Sequence, residues 1–493
     1  MLWDVVHSHP KVIDRLFCPF CLTNGMTNSL RRSGNWADTT WTSSMYEPCV
    51  VYDTSYMILL VSHIYMCPLN HQIPSHHPSI PSALPPSVYV PFYLTNRPGF
   101  TVDMLTQVSS MVDSGLSFHS IENIVMEQYE QSYWRIRNLY EENCVGCRWN
   151  AHNHGAFPKF QQSFFLFPHE QLIRSVFIAY SLLFEQTFFN DMTKRTSKWL
   201  ACDHTFKSAA NIGITRKSDG GWLKMMKYLF CVLGECGDVL HWRFTRGESL
   251  NEVKSIFEDL KTRHENAKIP VEGITIDNCC KWKGLLFQNF PGIVVKLDFL
   301  HAVQRFVSTL PMVVRKCSNI CKEYGLVFRS PNDIGIQRLQ KTPNKEILRV
   351  NLESFEQNWK SKVVKGHKVM SPAAMKAIAN TKLHIAKDFL SNIPAHISTS
   401  GNERLHRNLN NIMKTNKIGI DTAFVRCSRL FFKINSKMGN DRSLASLLSS
   451  PRQLLFNEDD SFNNRAEHFG FASFERNENG LIFPSPDYLN MDH

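Results

Sequence analysis

The sequence lacks a hydrophobic run of the length that crosses a membrane. The apolar stretch 56–66 is only about half of the ~20 residues that a helical span needs, and His63 interrupts it. The longer stretch 164–189 carries His169, Glu170, Arg174 and Glu185. The opening MLWDVVHSHP has neither the basic nor the apolar region of a signal peptide. These absences predict a protein that is not anchored in a membrane.

A disulfide framework is also absent, although cysteine itself is not scarce. Fourteen cysteines in 493 residues are too dilute for a disulfide scaffold, and without a signal peptide we expect reduced thiols or metal ligands. Hydrophobic residues make up 43% and charged residues 20%, which is ordinary globular composition. Lys and Arg outnumber Asp and Glu by 55 to 44, and the net charge of +11 favours a polyanionic partner.

Internal repeats are absent too, and composition divides the chain into six segments. The predicted segments are a Cys/His zinc-ribbon-like segment with a Pro-rich connector at 1–98, a helical domain at 99–195, the first part of a catalytic core at 196–310, a helical insertion at 311–395, a last catalytic helix region at 396–440 and a loosely ordered tail at 441–493.

Strands and helices alternate in the segment 196–310. Apolar runs predict strands at 198–204, 222–233, 239–244, 271–276 and 292–297, with an amphipathic helix at 250–263. Three strands precede the first helix, whereas a doubly wound fold places a helix after its first strand. This order predicts an α/β fold with an RNase H-like mixed sheet, in which the first and fourth strands are neighbours.

Three acidic residues fall where such a sheet would bring them together. Asp203 ends the first strand, Asp277 ends the fourth, and Glu403 lies on a helix whose buried stripe contains Leu405 and Leu409. Carboxylates that converge from rigid elements can hold the divalent ions used in phosphoryl transfer. We therefore predict Mg²⁺ or Mn²⁺ at this triad. The structural alternative is that each aspartate is a solvated turn residue and the glutamate an exposed helix residue.

Four sequence blocks carry a resemblance to a known family: CDHTFK at 202–207, IDN at 276–278, DFLH at 298–301 and GNERLHR at 401–407. They resemble conserved blocks of eukaryotic cut-and-paste DDE transposases, over roughly residues 196–430. The acid-x-x-His block resembles Mutator-like and hAT-like members, and the Cys-rich front and DHTFK are closer to the Kyakuja-Dileera-Zisupton group. The resemblance implies a nuclear enzyme, a homo-oligomer, that cuts transposon ends and joins them to target DNA with Mg²⁺ or Mn²⁺. It also implies that the helical insertion contacts DNA ends or a partner subunit.

The resemblance extends to residues around the triad. Asp298 becomes a further candidate metal ligand, and His301, one helical turn later, a catalytic residue that contacts the scissile phosphate or orients a ligand. The alternative is a helix-capping aspartate with a packed histidine, and His406 is open to the same two interpretations. Lys207 and Arg404 are candidate DNA contacts, although Lys207 is equally compatible with a solvated side chain.

The front of the chain carries a candidate zinc site. Cys18 and Cys21 form a C-x₂-C pair, and Cys67 with His71 forms a second pair after a strand pattern at 51–66. Three thiolates and an imidazole suit tetrahedral Zn²⁺. The alternative is a group of buried free cysteines. Only 17 residues precede Cys18, and this short stretch suggests the hypothesis that an upstream DNA-binding segment is missing from the sequence.

A weaker zinc prediction falls at the second C-x₂-C pair, Cys144 and Cys147, which histidines follow at 152 and 154. Just before it, the helical patterns 101–114 and 119–140 flank a short Gly-containing turn, which is compatible with a helix-turn-helix. The second pattern carries Arg135 and Arg137 beside aromatic residues, so both are candidate contacts to phosphates and bases. An ordinary helix pair is the alternative.

Three functions compete at this point. The first is a DDE transposase that needs Asp203, Asp277 and Glu403, and the presence of all three acids favours it. The second is a domesticated, non-catalytic DNA-binding regulator built from a transposon. The third is an RNase H-like nuclease that acts on RNA hybrids, which the long interval between residues 277 and 403 disfavours.

Overall fold

The fold is described from a computed structural model of the chain. The structure describes residues 2–3, 16–36, 49–75, 80, 90–94, 98–146, 156–160, 166–216, 219–277, 279–329, 341–394, 397, 400–414, 417–438, 474–476 and 482–484. These residues form a mixed α/β fold with fourteen helices and several sheets, which confirms the predicted class. The chain divides into two compact units, one of residues 1–187, 424–429 and 441–459, the other of residues 188–423, 430–440 and 460–493.

The first unit contains a seven-stranded sheet. Its strands are β1 (Leu2–Trp3), β2 (Arg31–Trp36), β3 (Cys49–Tyr52), β4 (Met57–Met66), β5 (Gln72–Pro74), β6 (Phe92–Leu94) and β7 (Gly99–Thr101). The order is β1-β4-β3-β7-β6, and β2 and β5 also pair with β4. The predicted single strand at 51–66 is wrong, because β3 and β4 are antiparallel strands joined by a turn. The apolar run concealed that turn, which the Asp53 N–H closes by donating to the Tyr56 carbonyl.

Within the described residues, five helices precede residue 199, and the last of them crosses from the first unit into the second after residue 187. They are α1 (Pro19–Leu22), α2 (Val102–Asp113), α3 (Phe118–Gly146), α4 (Glu170–Leu182) and α5 (Glu185–Thr193), numbered along the chain. The Thr101 hydroxyl accepts from the Met104 N–H and so caps α2, and Gly115, at a φ of 88°, turns the chain toward α3. Among the described residues no single helix is long and apolar enough to cross a membrane, although the bent pair α4 and α5 together passes on length and composition.

The second unit is built on a five-stranded sheet. Among the described residues, seven strands of this unit precede residue 300, five in the main sheet and two in a smaller one. They are β8 (Trp199–Thr205), β9 (Ile212–Thr215), β10 (Trp222–Lys224), β11 (Tyr228–Gly234), β12 (Val239–Thr245), β13 (Gly273–Ile276) and β14 (Val294–Lys296). The main sheet has the order β12-β11-β8-β13-β14. The pairs of β11 with β12 and with β8 are antiparallel, and β8, β13 and β14 run parallel. The predicted adjacency of the first and fourth strands, β8 and β13, is confirmed.

One predicted strand of this region is wrong. The run 222–233 divides into β10 and β11, which belong to different sheets. Between β10 and β11, the buried side chains of Met225 and Met226 continue the apolar pattern. After Met225 the backbone stops pairing with β9 and joins the main sheet as β11. β10 pairs with β9, which pairs in turn with β17 (Ile418–Gly419). Hydrophobicity alone does not reveal such a change of partner.

The remaining helices are α6 (Leu250–Ala267), α7 (Cys279–Asn289), α8 (Phe299–Ser308), α9 (Met312–Cys317), α10 (Ile320–Leu326), α11 (Lys345–Trp359), α12 (Pro372–Ala386), α13 (Ser400–Ile412) and α14 (Ile420–Met438). The predicted helix at 250–263 is confirmed as α6, with Ser249 as its cap and a buried stripe at Val253, Ile256 and Leu260. Further on, β18 (Phe474–Arg476) and β19 (Ile482–Pro484) form an antiparallel pair.

The segment 311–395 was predicted to be helical, and it also contains two short strands. A short hairpin forms between β15 (Val363–Val364) and β16 (His367–Lys368), where Gly366 takes the positive φ that the turn requires. The helices of this segment pack into the same hydrophobic core as the sheet. The rings of Phe306 on α8 and Tyr324 on α10 lie 4.1 Å apart, and Phe355 on α11 lies beside both.

Candidate active site and metal centres

Asp203 is the buried acid at the centre of the main sheet. Side chains alternate along β8, so Cys202 enters the core and Asp203 faces the other way. Only 5% of Asp203 is exposed. Its Oδ1 accepts from the His204 N–H at 2.8 Å. Its Oδ2 lies 3.5 Å from His301 Nε2 and 3.9 Å from His406 Nδ1. A buried carboxylate therefore faces two imidazoles.

His301 lies among three carboxylates. Asp298 is fully buried and caps α8 by accepting from the Leu300 N–H, so the capping alternative holds for this residue. One turn later, His301 Nδ1 lies 3.8 Å from Asp277 Oδ1, and Nε2 lies 4.0 Å from Asp298 Oδ2. Burial opposes protonation of the ring, but Asp203 first, then Asp277 and Asp298, raise the pKa of His301 to about 9.

Glu403 and His406 reach the same point from α13. Asp203, Glu403 and His406 each offer one ligand atom, and these atoms lie within 4.8 Å of one another. The Asn402 side chain donates to the Ala201 carbonyl at 3.3 Å and so ties α13 to β8. The predicted buried stripe of Leu405 and Leu409 is confirmed. A carboxylate pair with an imidazole is a donor set that a divalent ion can use.

Asp277 follows β13 but is held apart from that group. The Arg305 guanidinium donates to Asp277 Oδ1, and it also donates to the Asp277 carbonyl at 3.3 Å. On the same helix, Gln304 Nε2 donates to Glu403 Oε1 at 3.2 Å. Neither contact was predicted from the sequence. Their spacing of three and four residues after His301 was the available signal, because it places all three side chains on neighbouring positions of α8.

The predicted DNA contacts are distributed over both units, which are considered separately. In the second unit, Lys207 and Arg404 are exposed. In the first unit, Arg135 is exposed on α3. Arg137 donates to Glu141 at 2.8 Å and its guanidinium lies 4.9 Å from the centre of the Trp134 ring. Arg137 therefore has intrahelical partners that a phosphate would have to displace.

The front of the chain brings together all four predicted zinc ligands. The distances from His71 Nδ1 to the Sγ atoms of Cys18, Cys21 and Cys67 are 3.4, 3.5 and 3.4 Å, and Cys21 Sγ lies 3.8 Å from Cys67 Sγ. Asn28 Nδ2 also donates to Cys21 Sγ at 3.3 Å. Burial raises the pKa of the Cys18 thiol to about 11. Such spacing is what four tetrahedral ligands around one centre require.

The second predicted zinc pair stays a prediction. Cys144 lies on α3, whereas Cys147 and the two histidines that follow it lie outside the described residues.

Comparison with known proteins identifies no family for the chain. No family model matches the sequence, and no curated protein matches it. Among solved structures, the chain is similar to a chain of the Drosophila P element transposase strand transfer complex, with 10% sequence identity and a TM-score of 0.30. The similarity covers 63% of this chain and 99% of that chain. At that level the likeness is weak.

Proposed function

We propose that the protein is a DDE-type polynucleotidyl transferase, a transposase that cuts and joins DNA strands at Asp203, Asp277 and Glu403. One observation carries the proposal. Asp203 lies within β8 rather than at its end, and Asp277 directly follows β13, the adjacent parallel strand. The two carboxylates lie 3.5 and 3.8 Å from the two nitrogens of the same imidazole, that of His301. Carboxylates positioned by rigid strands suit a reaction that needs fixed charges around a phosphate.

The strand order supports an RNase H-like core. Three antiparallel strands, β12, β11 and β8, precede two parallel ones, β13 and β14, which are reached through α6 and α7. This is the order expected for an RNase H-like sheet, and it puts both aspartates at the centre rather than at an edge. The third acid arrives on α13, a helix tied to β8 through Asn402.

The donor set fits a divalent ion. Carboxylate oxygens suit Mg²⁺ and Mn²⁺, and Asp203, Glu403 and His406 present their ligand atoms within 4.8 Å. His406 Nε2 is also a buried nitrogen without a hydrogen-bond partner among the described residues. Ions bound there would activate a water or 3′-hydroxyl and stabilise the leaving oxygen.

The chain's own residues would prepare the site. Asp277 is paired with Arg305, and we infer that it joins the other acids when that guanidinium is released. A released guanidinium binds phosphate well, because its donors match phosphate oxygens in pairs. His301 can hold a proton between the carboxylates until a cation replaces it.

The partners follow from charge and family resemblance. A net charge of +11 favours DNA, and we propose transposon ends and target DNA as substrates, Lys207 and Arg404 as phosphate contacts, a homo-oligomeric assembly and a nuclear location. We further propose that Cys18, Cys21, Cys67 and His71 bind Zn²⁺, because a closed set of three thiolates and one imidazole is typical of structural zinc sites.

The test is nicking of supercoiled plasmid by the full-length protein in Mg²⁺ or Mn²⁺. We expect Asp277→Asn and Asp203→Asn to reduce nicking by at least about a hundredfold, since even outer-shell changes at metal sites cost about 10- to 100-fold. The matched control is Asp219→Asn, whose exposed side chain pairs with Arg216 and accepts from the Gly221 N–H, away from the acidic group. An inactive wild type that still binds DNA would instead support the domesticated regulator, and cleavage confined to RNA–DNA hybrids would support the nuclease.

A further inference from the structure

A second thiol–imidazole cluster lies beside the acidic site. Cys279 and Cys280 begin α7, and His384 lies in the last turn of α12. Cys280 Sγ is 3.8 Å from His384 Nδ1, although 104 residues separate them in sequence. One ligand atom from each of the three residues falls within 4.8 Å of the others. The fold therefore gathers two sulfurs and a nitrogen at one point.

We propose that Cys279, Cys280 and His384 form a binding site for a thiophilic divalent cation of the Zn²⁺ class. Thiolate and imidazole are soft to borderline ligands, so this set selects zinc-like ions over Mg²⁺ or Ca²⁺. Zn–S and Zn–N bonds of about 2.3 and 2.0 Å place tetrahedral ligands about 3.5–3.8 Å apart. The Cys280–His384 distance already matches that spacing.

The adjacent cysteines are suited to chelation and poorly suited to a mutual disulfide. Consecutive Cα atoms are about 3.8 Å apart, which is shorter than the ~4.4 Å lower limit of ordinary disulfides. Cys279 is buried, whereas Cys280 is exposed and opens the site to solvent. Three protein ligands with one open side are typical of an exchangeable ion, in contrast to the closed group at Cys18.

The site also joins two distant segments, because Cys279 comes two residues after Asp277 and His384 belongs to the helical segment 311–395. A bound ion would fix the first turn of α7 against α12.

The experiment measures zinc bound by the full-length protein. Wild type and variants are reduced with a thiol-free reductant, saturated with Zn²⁺ alone, desalted and analysed for zinc per chain by mass spectrometry. We expect Cys280→Ser and His384→Asn each to lose about one ion relative to wild type. The matched control, Cys236→Ser, changes an exposed cysteine outside the cluster and should keep the full count.

Two further readouts keep the result interpretable. Circular dichroism verifies that each variant is folded. Replacement of zinc by Co²⁺ should give a thiolate charge-transfer band that is weaker in Cys280→Ser than in Cys236→Ser. Equal zinc content and equal bands in folded wild type, Cys280→Ser and His384→Asn would overturn the proposal. Metal content does not depend on DNA cleavage, so this test is independent of the proposed function.

Discussion

At the scale of single residues, β8 shows how one strand supplies three chemical environments in a row. Cys202 packs in the core and Asp203 faces the acidic group. The ring of His204 lies 4.6 Å from the Phe230 ring and 5.8 Å from that of Trp282. Strand alternation was enough to predict the opposite directions of Cys202 and Asp203. The partners of His204 come from β11 and α7, so no local pattern revealed them.

His204 should make the protein acid-sensitive. Burial, more than the charges of His406 and Lys281, lowers the pKa of His204 to about 4, from an unfolded value near 6.5. The unfolded state therefore binds a proton first as the pH falls, and stability present above pH ~6.5 is lost toward pH ~4. We expect wild type to lose on the order of 2 kcal/mol between pH 7 and 4.5 that His204→Leu does not lose.

Urea unfolding at the two pH values measures this difference. Other groups also titrate in that range, so only the difference between wild type and variant is informative. His367→Leu, at an exposed position of the β15–β16 hairpin, should follow wild type. Parallel pH profiles for wild type and His204→Leu would show that the buried ring does not titrate as described.

At the scale of elements, α8 shows which contacts the sequence predicted and which it did not. The acid-x-x-His block predicted a shared face for Asp298 and His301, and their side chains do approach one another. Gln304 and Arg305 extend that face along α8. Gln304 donates to Glu403, and Arg305 donates to Asp277. Nothing in the local pattern specified those partners, because they depend on how α13 and β13 are placed against α8. Helical spacing predicts which residues are neighbours on a helix, but not what lies opposite them.

Helix α7 is anchored to the sheet by one large aromatic residue. Trp282 is almost fully buried, with its ring 5.7 Å from Phe230 and 5.9 Å from Phe257. Removing it should leave a cavity between α6, α7 and the sheet. We expect Trp282→Ala to lower the free energy of unfolding by about 3–5 kcal/mol, the usual range for large aromatic residues in a core. Denaturant titration of the full chain gives the value.

The control for this prediction lies on the same helix. Phe287 is 38% exposed and contacts Lys283 on the surface, so Phe287→Ala should cost less than about 1 kcal/mol. If both substitutions had similar small effects, Trp282 would not anchor the helix.

At the scale of the whole molecule, the order of elements was more predictable than their partners. Apolar periodicity predicted the strand at 239–244 and the helix at 250–263 close to their observed bounds. It failed where one apolar run crosses between sheets, as at 222–233. The segment 311–395 was separated by its composition, yet its helices share the core of the sheet. Composition describes a segment but does not show which surface it buries.

One small core cluster of the first unit is rich in cysteine. Cys18, Cys21 and Cys67 are three of the eight buried residues in that cluster, and with His71 they form the closed donor group. If zinc binds there, its binding free energy is also folding free energy for the surrounding strands. Without the ion, the three buried thiols would contribute only weak sulfur contacts to the stability of this cluster.

Cys67→Ser should therefore remove about one zinc ion and lower the melting temperature of the first unit. Zinc content together with thermal unfolding, followed by hydrogen exchange of the strands β2, β4 and β5 around the cluster, measures both effects. Cys236→Ser, an exposed cysteine of the second unit, should leave both unchanged. If Cys67→Ser lost its zinc but kept the stability and exchange protection of wild type, apolar packing alone would hold this cluster. Because so few apolar residues surround the thiols, we expect the opposite: exchange protection should fall most in the strands nearest Cys67.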